Sequence, residues 1–215
     1  MSEIKILNKK SDPIIYLTKK DKRLAKVIEM VGEITYIPHD NPYEQIINSI
    51  IGQMLANRVA QVLRKRLYEM CNGNVTPANI IKLTDEQIKS IGISKSKVKS
   101  IRALTDSVVT GFINFNELES LSNEEAIKKL TAIRGIGIWS AKMFLIFTLD
   151  RPDILPFEDM AFLQSYAWMY KTSDTKPASI KKRCKKWSPY SSYATRYLYR
   201  ALDMGFTKDE FHLYK

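Results

Sequence analysis

Residues 121–164 decide the fold of this chain, and they read LSNEEAIKKLTAIRGIGIWSAKMFLIFTLDRPDILPFEDMAFLQ. Two helical patterns flank a tight turn, Gly135-Ile136-Gly137, and an acidic pair, Glu158-Asp159, follows beyond two prolines. Glycine permits a positive φ and lets another backbone come close. The first half of the stretch therefore suits a motif that binds a phosphate backbone. The second half could place a catalytic carboxylate.

The glycine turn is a candidate phosphate site. A helix begins directly after the turn, so its free N–H groups and the positive end of its dipole point outward. Ile136 is expected to fill the gap between the two helices. Turn carbonyls could also hold a structural Na⁺ or K⁺, and the candidates are those of Ile133, Gly135 and Ile136. The alternative is a plain helix–turn–helix connection that needs glycine only for its geometry.

Composition sets the broad class of the protein. The chain has 215 residues, of which 45 % are hydrophobic, and this favours a globular protein over a disordered one. A net charge of +11 indicates a polyanionic partner. Two distant cysteines, Cys71 and Cys184, are too few for a four-cysteine zinc site or an iron–sulfur cluster. The charged N-terminus has no apolar signal core, so we expect a cytoplasmic protein, nucleoid-associated in a bacterium.

Helical periodicity runs through most of the chain. Isoleucines recur at three- and four-residue steps from Tyr43 up to Gly52-Gln53, and a break between two helices is predicted near 52–57. An almost wholly apolar helix over 139–149 should be buried centrally. Residues 14–17 are expected to form an extended arm, and no strand alternation is evident. The fold class is all-α, with roughly ten helices joined by short connections.

Four segments resemble, in the same order, the helix-hairpin-helix (HhH-GPD) superfamily of base-excision DNA glycosylases. They are 41–53, 91–101, 130–141 and 187–194. The most similar branch is the 3-methyladenine DNA glycosylase II type, which acts on alkylated bases. The resemblance implies a two-lobed helical fold with the active-site cleft between the lobes. A terminal lobe would combine 1–40 with 151–215, and a central lobe, 41–150, would contain the hairpin at about 121–149.

The resemblance also implies a catalytic role for Asp159. The family's catalytic aspartate matches Asp159 rather than Glu158. Cleavage of an N-glycosidic bond builds positive charge on the deoxyribose, which a fixed carboxylate stabilises, and the same group can orient or deprotonate the attacking water. Taken alone, the acidic pair could instead serve only the dipole of the following helix.

Further site residues follow from the same resemblance. Aromatic walls suit electron-deficient alkylated purines, and the candidate pocket residues are Trp139, Tyr199, Met143 and Tyr43. Met143 stands where relatives have a tyrosine, and core packing is the alternative for Tyr43. The apolar residue that fills the gap left by a flipped base is predicted to be Leu55, with Met54 as the alternative. The candidate DNA-contacting residues are Gln53, Met54, Leu55, Gly135, Ile136, Gly137 and Ile138.

The predicted function is that of a monofunctional DNA N-glycosylase that flips and excises alkylated purines of the 3-methyladenine type. Bifunctional relatives carry a Schiff-base lysine just after the glycine turn, where this chain has Trp139. Two alternatives remain: an oxidised-base glycosylase of the 8-oxoguanine type, and a non-enzymatic helix-hairpin-helix DNA-binding protein. The expected partner is double-stranded DNA with a damaged base, bound by a monomer that needs no cofactor beyond the hairpin cation.

Overall fold

The computed structural model describes residues 3–214, and the predicted helical architecture is confirmed. In chain order the elements are β1 (Lys5–Leu7), α1 (Asp12–Lys20), α2 (Lys22–Val31), β2 (Ile34–Tyr36), α3 (Pro42–Gly52), α4 (Asn57–Met70), α5 (Pro77–Lys82), α6 (Asp85–Ser90), α7 (Lys95–Val109), α8 (Phe115–Ser120), α9 (Asn123–Thr131), α10 (Ile138–Phe147), α11 (Met160–Tyr170), α12 (Pro177–Cys184) and α13 (Ser191–Asp203). Short 3-10 turns occupy Lys185–Trp187 and Phe206–Lys208. Each helix in this described range is too short or too polar to cross a membrane.

The chain divides into two compact units. The central unit is His39–Leu149 and contains α3 to α10. The terminal unit combines the segments on either side, ending at Pro38 and resuming at Asp150, and it contains the two strands, α1, α2 and α11 to α13. The glycine turn therefore belongs to the central unit and Asp159 to the terminal unit.

Local capping signals set several helix starts in the central unit. Thr84 with Gln87, and Ser122 with Glu125, each form a reciprocal capping box. Such boxes satisfy backbone N–H groups that a helix start would otherwise leave without a partner. The break predicted near 52–57 is also confirmed, because α3 ends at Gly52 and α4 begins at Asn57.

The core of the central unit forms between α10 and its neighbours α3 and α9. Ala141, Leu145 and Ile146 of α10 are completely buried, which confirms the central position predicted for this helix. The inward face of α3 is buried as well and consists of Ile46, Ile47, Ile50 and Ile51. Because α3 and α10 share this core, the glycine turn before α10 has a fixed position relative to the end of α3.

The core of the terminal unit forms where α13 packs against α2 and α11. Its largest buried side chains are aromatic, namely Phe162, Tyr166, Trp187 and Tyr197. Full burial of one such side chain contributes about 1.5–3 kcal/mol relative to exposure. This packing fixes α11, which begins just after Asp159, against α13, which carries Tyr199.

A buried carboxylate, Asp21, ties the terminal unit together. It caps α2, accepts hydrogen bonds from the Tyr170 hydroxyl and from Trp187 Nε1 (2.9 Å), and pairs with Lys186 Nζ at 3.0 Å. Burial alone would raise the pKa of Asp21, but the hydrogen bonds from Tyr170, Trp187 and Lys186 outweigh it, so the pKa lies below its ordinary value of 3.8. The folded state therefore favours the ionised carboxylate.

The N-terminal residues differ from the prediction. β1 pairs antiparallel with β2, with Lys5 opposite Tyr36, and each strand has only three residues, too few for alternation to be recognised. The extended arm predicted over 14–17 is also wrong, because α1 begins at Asp12 and carries its proline in the first turn. Proline is tolerated there since the N–H group it lacks would have no helical partner.

Candidate functional site

Gly135 is required by the geometry of the turn. Its φ of +85° is a left-handed conformation, and a Cβ at this position would lie 2.0 Å from Ser100 Oγ and 2.4 Å from Ser100 Cβ. Any larger residue would be strained in its backbone and would overlap α7. Ile136, only 4 % exposed, fills the space beneath the turn as predicted.

Gly137 is a glycine for a different reason. Its φ of −87° suits any residue, and a Cβ built here has no atom of the described residues within 4 Å. Gly137 is the N-cap of α10, and the cap makes no side-chain hydrogen bond. The turn thus presents an open helix N-terminus with the positive end of its dipole outward, bordered by exposed Ile138. An anion can approach the backbone closely at this point.

Gln53 joins the end of α3 to the turn. Its side-chain Nε2 donates to the Gly135 carbonyl at 2.9 Å and lies 3.3 Å from Ser140 Oγ. Lys97, which the sequence analysis did not single out, donates from Nζ to the carbonyls of Ile51 and Gln53, each at 2.8 Å. Partial burial lowers the pKa of Lys97. The predicted DNA-contacting Gln53 therefore has a task inside the protein, which is to support the turn.

The two candidates for the inserted residue lie in the break between α3 and α4. Met54 has a φ of +55° and is fully exposed, whereas Leu55 is only partly exposed. A non-glycine residue in this region of φ and ψ carries a cost of about 1–2 kcal/mol. Met54, the alternative in the sequence analysis, thus presents the larger free apolar surface.

A groove of about 490 Å³ runs between α3 and α10 within the central unit. Trp139 and Met143, both predicted pocket residues, lie on its α10 side together with Phe147. The lining residues are His39, Gln45, Asn48, Ser49, Gly52, Arg64, Trp139, Met143, Phe144, Phe147 and Thr148. The groove therefore combines an aromatic and thioether wall with a polar one.

The polar wall escaped the sequence analysis. Gln45, Asn48 and Ser49 have the spacing of one helical face, and they interrupt the isoleucine pattern of α3. That interruption was the available signal. Arg64 borders this wall and donates from Nε and Nη2 to the Asn48 carbonyl, at 3.0 and 2.8 Å, and burial lowers its pKa.

Tyr43 does not lie in the groove. It is 4 % exposed in the core of the central unit, and its hydroxyl is 2.8 Å from Thr105 Oγ1. Burial, which is only partly offset by the hydrogen bond with Thr105, raises the pKa of Tyr43 to about 12. Its assignment to the substrate pocket is therefore corrected: the pattern of α3 turns this residue inward with the isoleucines.

Asp159 is the N-cap of α11 in the terminal unit. Its Oδ1 accepts a hydrogen bond from the Phe162 N–H at 2.8 Å, while the neighbouring Glu158 is exposed. Tyr199 of α13 donates its hydroxyl to the same carboxylate. Burial raises the pKa of Tyr199, and the charge of Asp159 and this hydrogen bond raise it further. Two predicted site residues, 40 positions apart, are thus in contact.

The structure also bears on the expected cation and cofactors. The Ile133 carbonyl accepts a hydrogen bond from the Ile136 N–H at 3.1 Å, and the Gly135 carbonyl accepts one from Gln53. A carbonyl oxygen has two lone pairs, so each keeps one for a monovalent ion. These residues fit a hairpin cation, which remains a prediction. Both cysteines are buried free thiols, and residues 3–214 contain no cluster of metal-binding side chains.

The basic run at 181–186 is only partly available to a partner. Lys186 pairs with buried Asp21, and the Arg183 guanidinium lies 5.0 Å from the ring centre of Tyr170. Lys181, Lys182 and Lys185 are exposed. Arg183 is exposed too, so the surface charge of this run is that of three lysines and one arginine.

Comparison with known proteins supplies the family context. A model described as the HhH-GPD superfamily base excision DNA repair protein matches residues 47–189. DNA-3-methyladenine glycosylase 1 of Schizosaccharomyces pombe is 31 % identical over 165 residues, which cover 73 % of this chain and 72 % of that protein.

Solved structures match over almost the whole chain. A DNA-3-methyladenine glycosidase from Bacillus halodurans has a TM-score of 0.88 and 31 % identity, and the match covers 97 % of each chain. The 3-methyladenine DNA glycosylase of Schizosaccharomyces pombe, in a complex with abasic DNA, has a TM-score of 0.79 and 27 % identity. That match covers 95 % of this chain and 100 % of the other.

Proposed function

The chain belongs to the HhH-GPD superfamily of base excision DNA repair proteins, and we propose that it releases alkylated purines from DNA by hydrolysing their N-glycosidic bond. The resemblance drawn from four sequence segments, including the 3-methyladenine branch, is confirmed. The observation that carries the proposed reaction is Asp159, a carboxylate held by the Phe162 N–H and the Tyr199 hydroxyl.

The chain binds DNA, and the glycine turn is the proposed phosphate contact. The open surface at Gly137 and the N-terminus of α10 support this assignment, because both favour a close anion. Contacts of this type hold the backbone without reading the sequence. The proposed partner is a duplex that contains a damaged base, bound by a monomer.

The target nucleotide leaves the base stack before the reaction, and a side chain fills the gap. Met54 is the proposed inserted residue, since it is fully exposed in the break between α3 and α4. Leu55 is partly covered and has less free surface to insert. This reverses the order of preference that the sequence analysis gave.

The groove between α3 and α10 is the proposed binding surface for the flipped base. Trp139 offers a ring face on which a cationic methylated purine is favoured by stacking and cation–π attraction. Gln45 and Asn48 carry amides, which present one hydrogen-bond acceptor and two donors each. Such groups suit the ring nitrogens and exocyclic amino group of an adenine-type base.

The reaction proposed for Asp159 breaks the bond between C1′ of the deoxyribose and the base nitrogen. The bonding electron pair leaves with the base, and the positive charge that develops on the sugar is stabilised by the carboxylate. A water oxygen then bonds to C1′, and its proton passes to Asp159 or to solvent. The products are a free base and an abasic site. Trp139 in place of a Schiff-base lysine supports a monofunctional hydrolase.

The test compares Asp159→Asn with Glu158→Gln on methylated duplex DNA, with the released bases identified by chromatography. Asp159→Asn should lower the rate of 3-methyladenine release by at least about 100-fold, since it removes the charge that meets the developing cation. Glu158→Gln, a matched change at the exposed neighbour, should keep the wild-type rate. Equal rates for all three proteins would overturn the role of Asp159. Wild-type protein that binds DNA but releases no base would instead support a non-enzymatic role.

A further inference from the structure

The hydroxyl of Tyr199, rather than its ring alone, has a function in the terminal unit. We propose that Tyr199 is a positioning residue that holds the Asp159 carboxylate in its working orientation through a hydrogen bond. This inference rests on the proposed function of Asp159. It gives Tyr199 a different task from the aromatic wall expected from the sequence.

The hydrogen bond joins two packed helices. Asp159 caps α11, Tyr199 lies on α13, and α11 and α13 form a main contact of the terminal unit. The ring of Tyr199 is partly buried and packs against the core of the terminal unit, which restrains the direction of its hydroxyl. The packing of α11 against α13 therefore helps to set the position of the carboxylate, together with the hydrogen bond from the Asp159 N–H to the Pro156 carbonyl at 3.0 Å.

Tyr199 remains a donor throughout the working pH range. Burial, together with the charge of Asp159 and the hydrogen bond to it, raises its pKa above that of an ordinary tyrosine. A phenol that stays protonated always directs its O–H toward the carboxylate.

Two donors restrain the carboxylate more than one does. The Phe162 N–H contacts Oδ1 at 2.8 Å, which any N-cap aspartate would achieve, yet it leaves rotation of the group about this contact. The second donor removes that freedom. A group held in place before the reaction needs no reorganisation when the charge on the sugar develops, which is the source of its catalytic effect.

The experiment is Tyr199→Phe, which keeps the ring and removes only the hydroxyl. Under single-turnover conditions with saturating enzyme, the rate of 3-methyladenine release should fall about tenfold, the order expected for loss of one hydrogen bond to a charged group. The half-saturating enzyme concentration should stay within about twofold, because the hydroxyl is engaged with the carboxylate of Asp159. An aromatic wall alone would leave both values unchanged in Tyr199→Phe.

Tyr197→Phe is the matched control. Tyr197 lies on the same helix, is fully buried, and donates its hydroxyl to the Leu7 carbonyl at 3.1 Å. Its loss removes a hydrogen bond from the same unit without touching Asp159. Tyr197→Phe should therefore keep the wild-type turnover even where it lowers the urea midpoint.

A double variant tests whether Tyr199 acts through Asp159. In an Asp159→Asn background, Tyr199→Phe should change the residual rate by less than about twofold, since coupled residues are not additive. A wild-type rate in the single Tyr199→Phe variant, or a full tenfold loss in both backgrounds, would overturn the positioning role. Failure of the proposed function would give a different result, because Asp159→Asn would then release 3-methyladenine at the wild-type rate.

Discussion

The two glycines of the turn should respond to alanine in opposite ways. Gly135→Ala places a Cβ 2.0 Å from Ser100 Oγ at a φ of +85°. The left-handed backbone costs about 1–2 kcal/mol and the overlap about 1–3 kcal/mol, so a loss of about 2–5 kcal/mol in the free energy of unfolding of the central unit is expected. Gly137→Ala enters open space at an ordinary φ, and its stability should stay within about 1 kcal/mol of wild type.

DNA affinity should show the reverse order of effects. A methyl group at Gly137 stands where a phosphate would meet the N-terminus of α10, so Gly137→Ala should weaken binding to an undamaged duplex about tenfold, or about 1.4 kcal/mol. Urea unfolding followed by circular dichroism gives the stabilities, and fluorescence anisotropy with a labelled duplex at fixed salt gives the affinities. Wild-type DNA affinity in a folded Gly137→Ala variant would refute the assignment of this surface to a phosphate.

Four further outcomes are expected. Met54→Ala should slow base release at saturating enzyme more than Leu55→Ala does, because Met54 is the fully exposed residue; the reverse order would restore the preference drawn from the sequence. Borohydride added during turnover should trap no covalent protein–DNA adduct, since a hydrolase without a Schiff-base lysine forms no reducible bond with the sugar. A protein–DNA adduct on a denaturing gel would contradict this. The difference in urea midpoint between wild type and Asp21→Asn should be largest near neutral pH and should shrink as the pH falls below 3.8, the ordinary pKa of an aspartate. The reason is that the lowered pKa of Asp21 adds stability only while its carboxylate is ionised. A difference that does not depend on pH would contradict this. Replacing Lys181 and Lys185 with glutamine should leave the slope of log affinity against log salt unchanged; a fall of about 0.9 for each lysine would contradict this and show that they contact phosphates.

The parts of the fold that the sequence predicted are those governed by local signals. The almost continuous apolar run of α10 required burial, and the capping boxes at Thr84 and Ser122 defined helix starts. The N-terminal strands could not be predicted, because a three-residue strand is stabilised by its partner across the sheet and leaves no periodicity. The extended arm expected over 14–17 is part of a helix, because Pro13 occupies the first turn of α1, where a proline is tolerated.

The candidate site divides in the same way. The glycine turn was recognisable because it depends on residues adjacent in sequence, whereas the role of Asp159 followed only from the family resemblance. The hydrogen bond between Tyr199 and Asp159 depends on the packing of α13 against α11, which no local pattern specifies. The polar wall of the groove was visible as an interruption of the isoleucine pattern in α3, but its meaning depends on which helix faces it.

The amide of Gln53 has a consequence for how the protein searches DNA. One side chain, adjacent to Met54, is hydrogen-bonded to the turn that is proposed to seat a phosphate. This hydrogen bond connects the turn directly to the segment that carries Met54. We expect contact of the turn with the DNA backbone and probing of the base stack by Met54 to be coupled to each other.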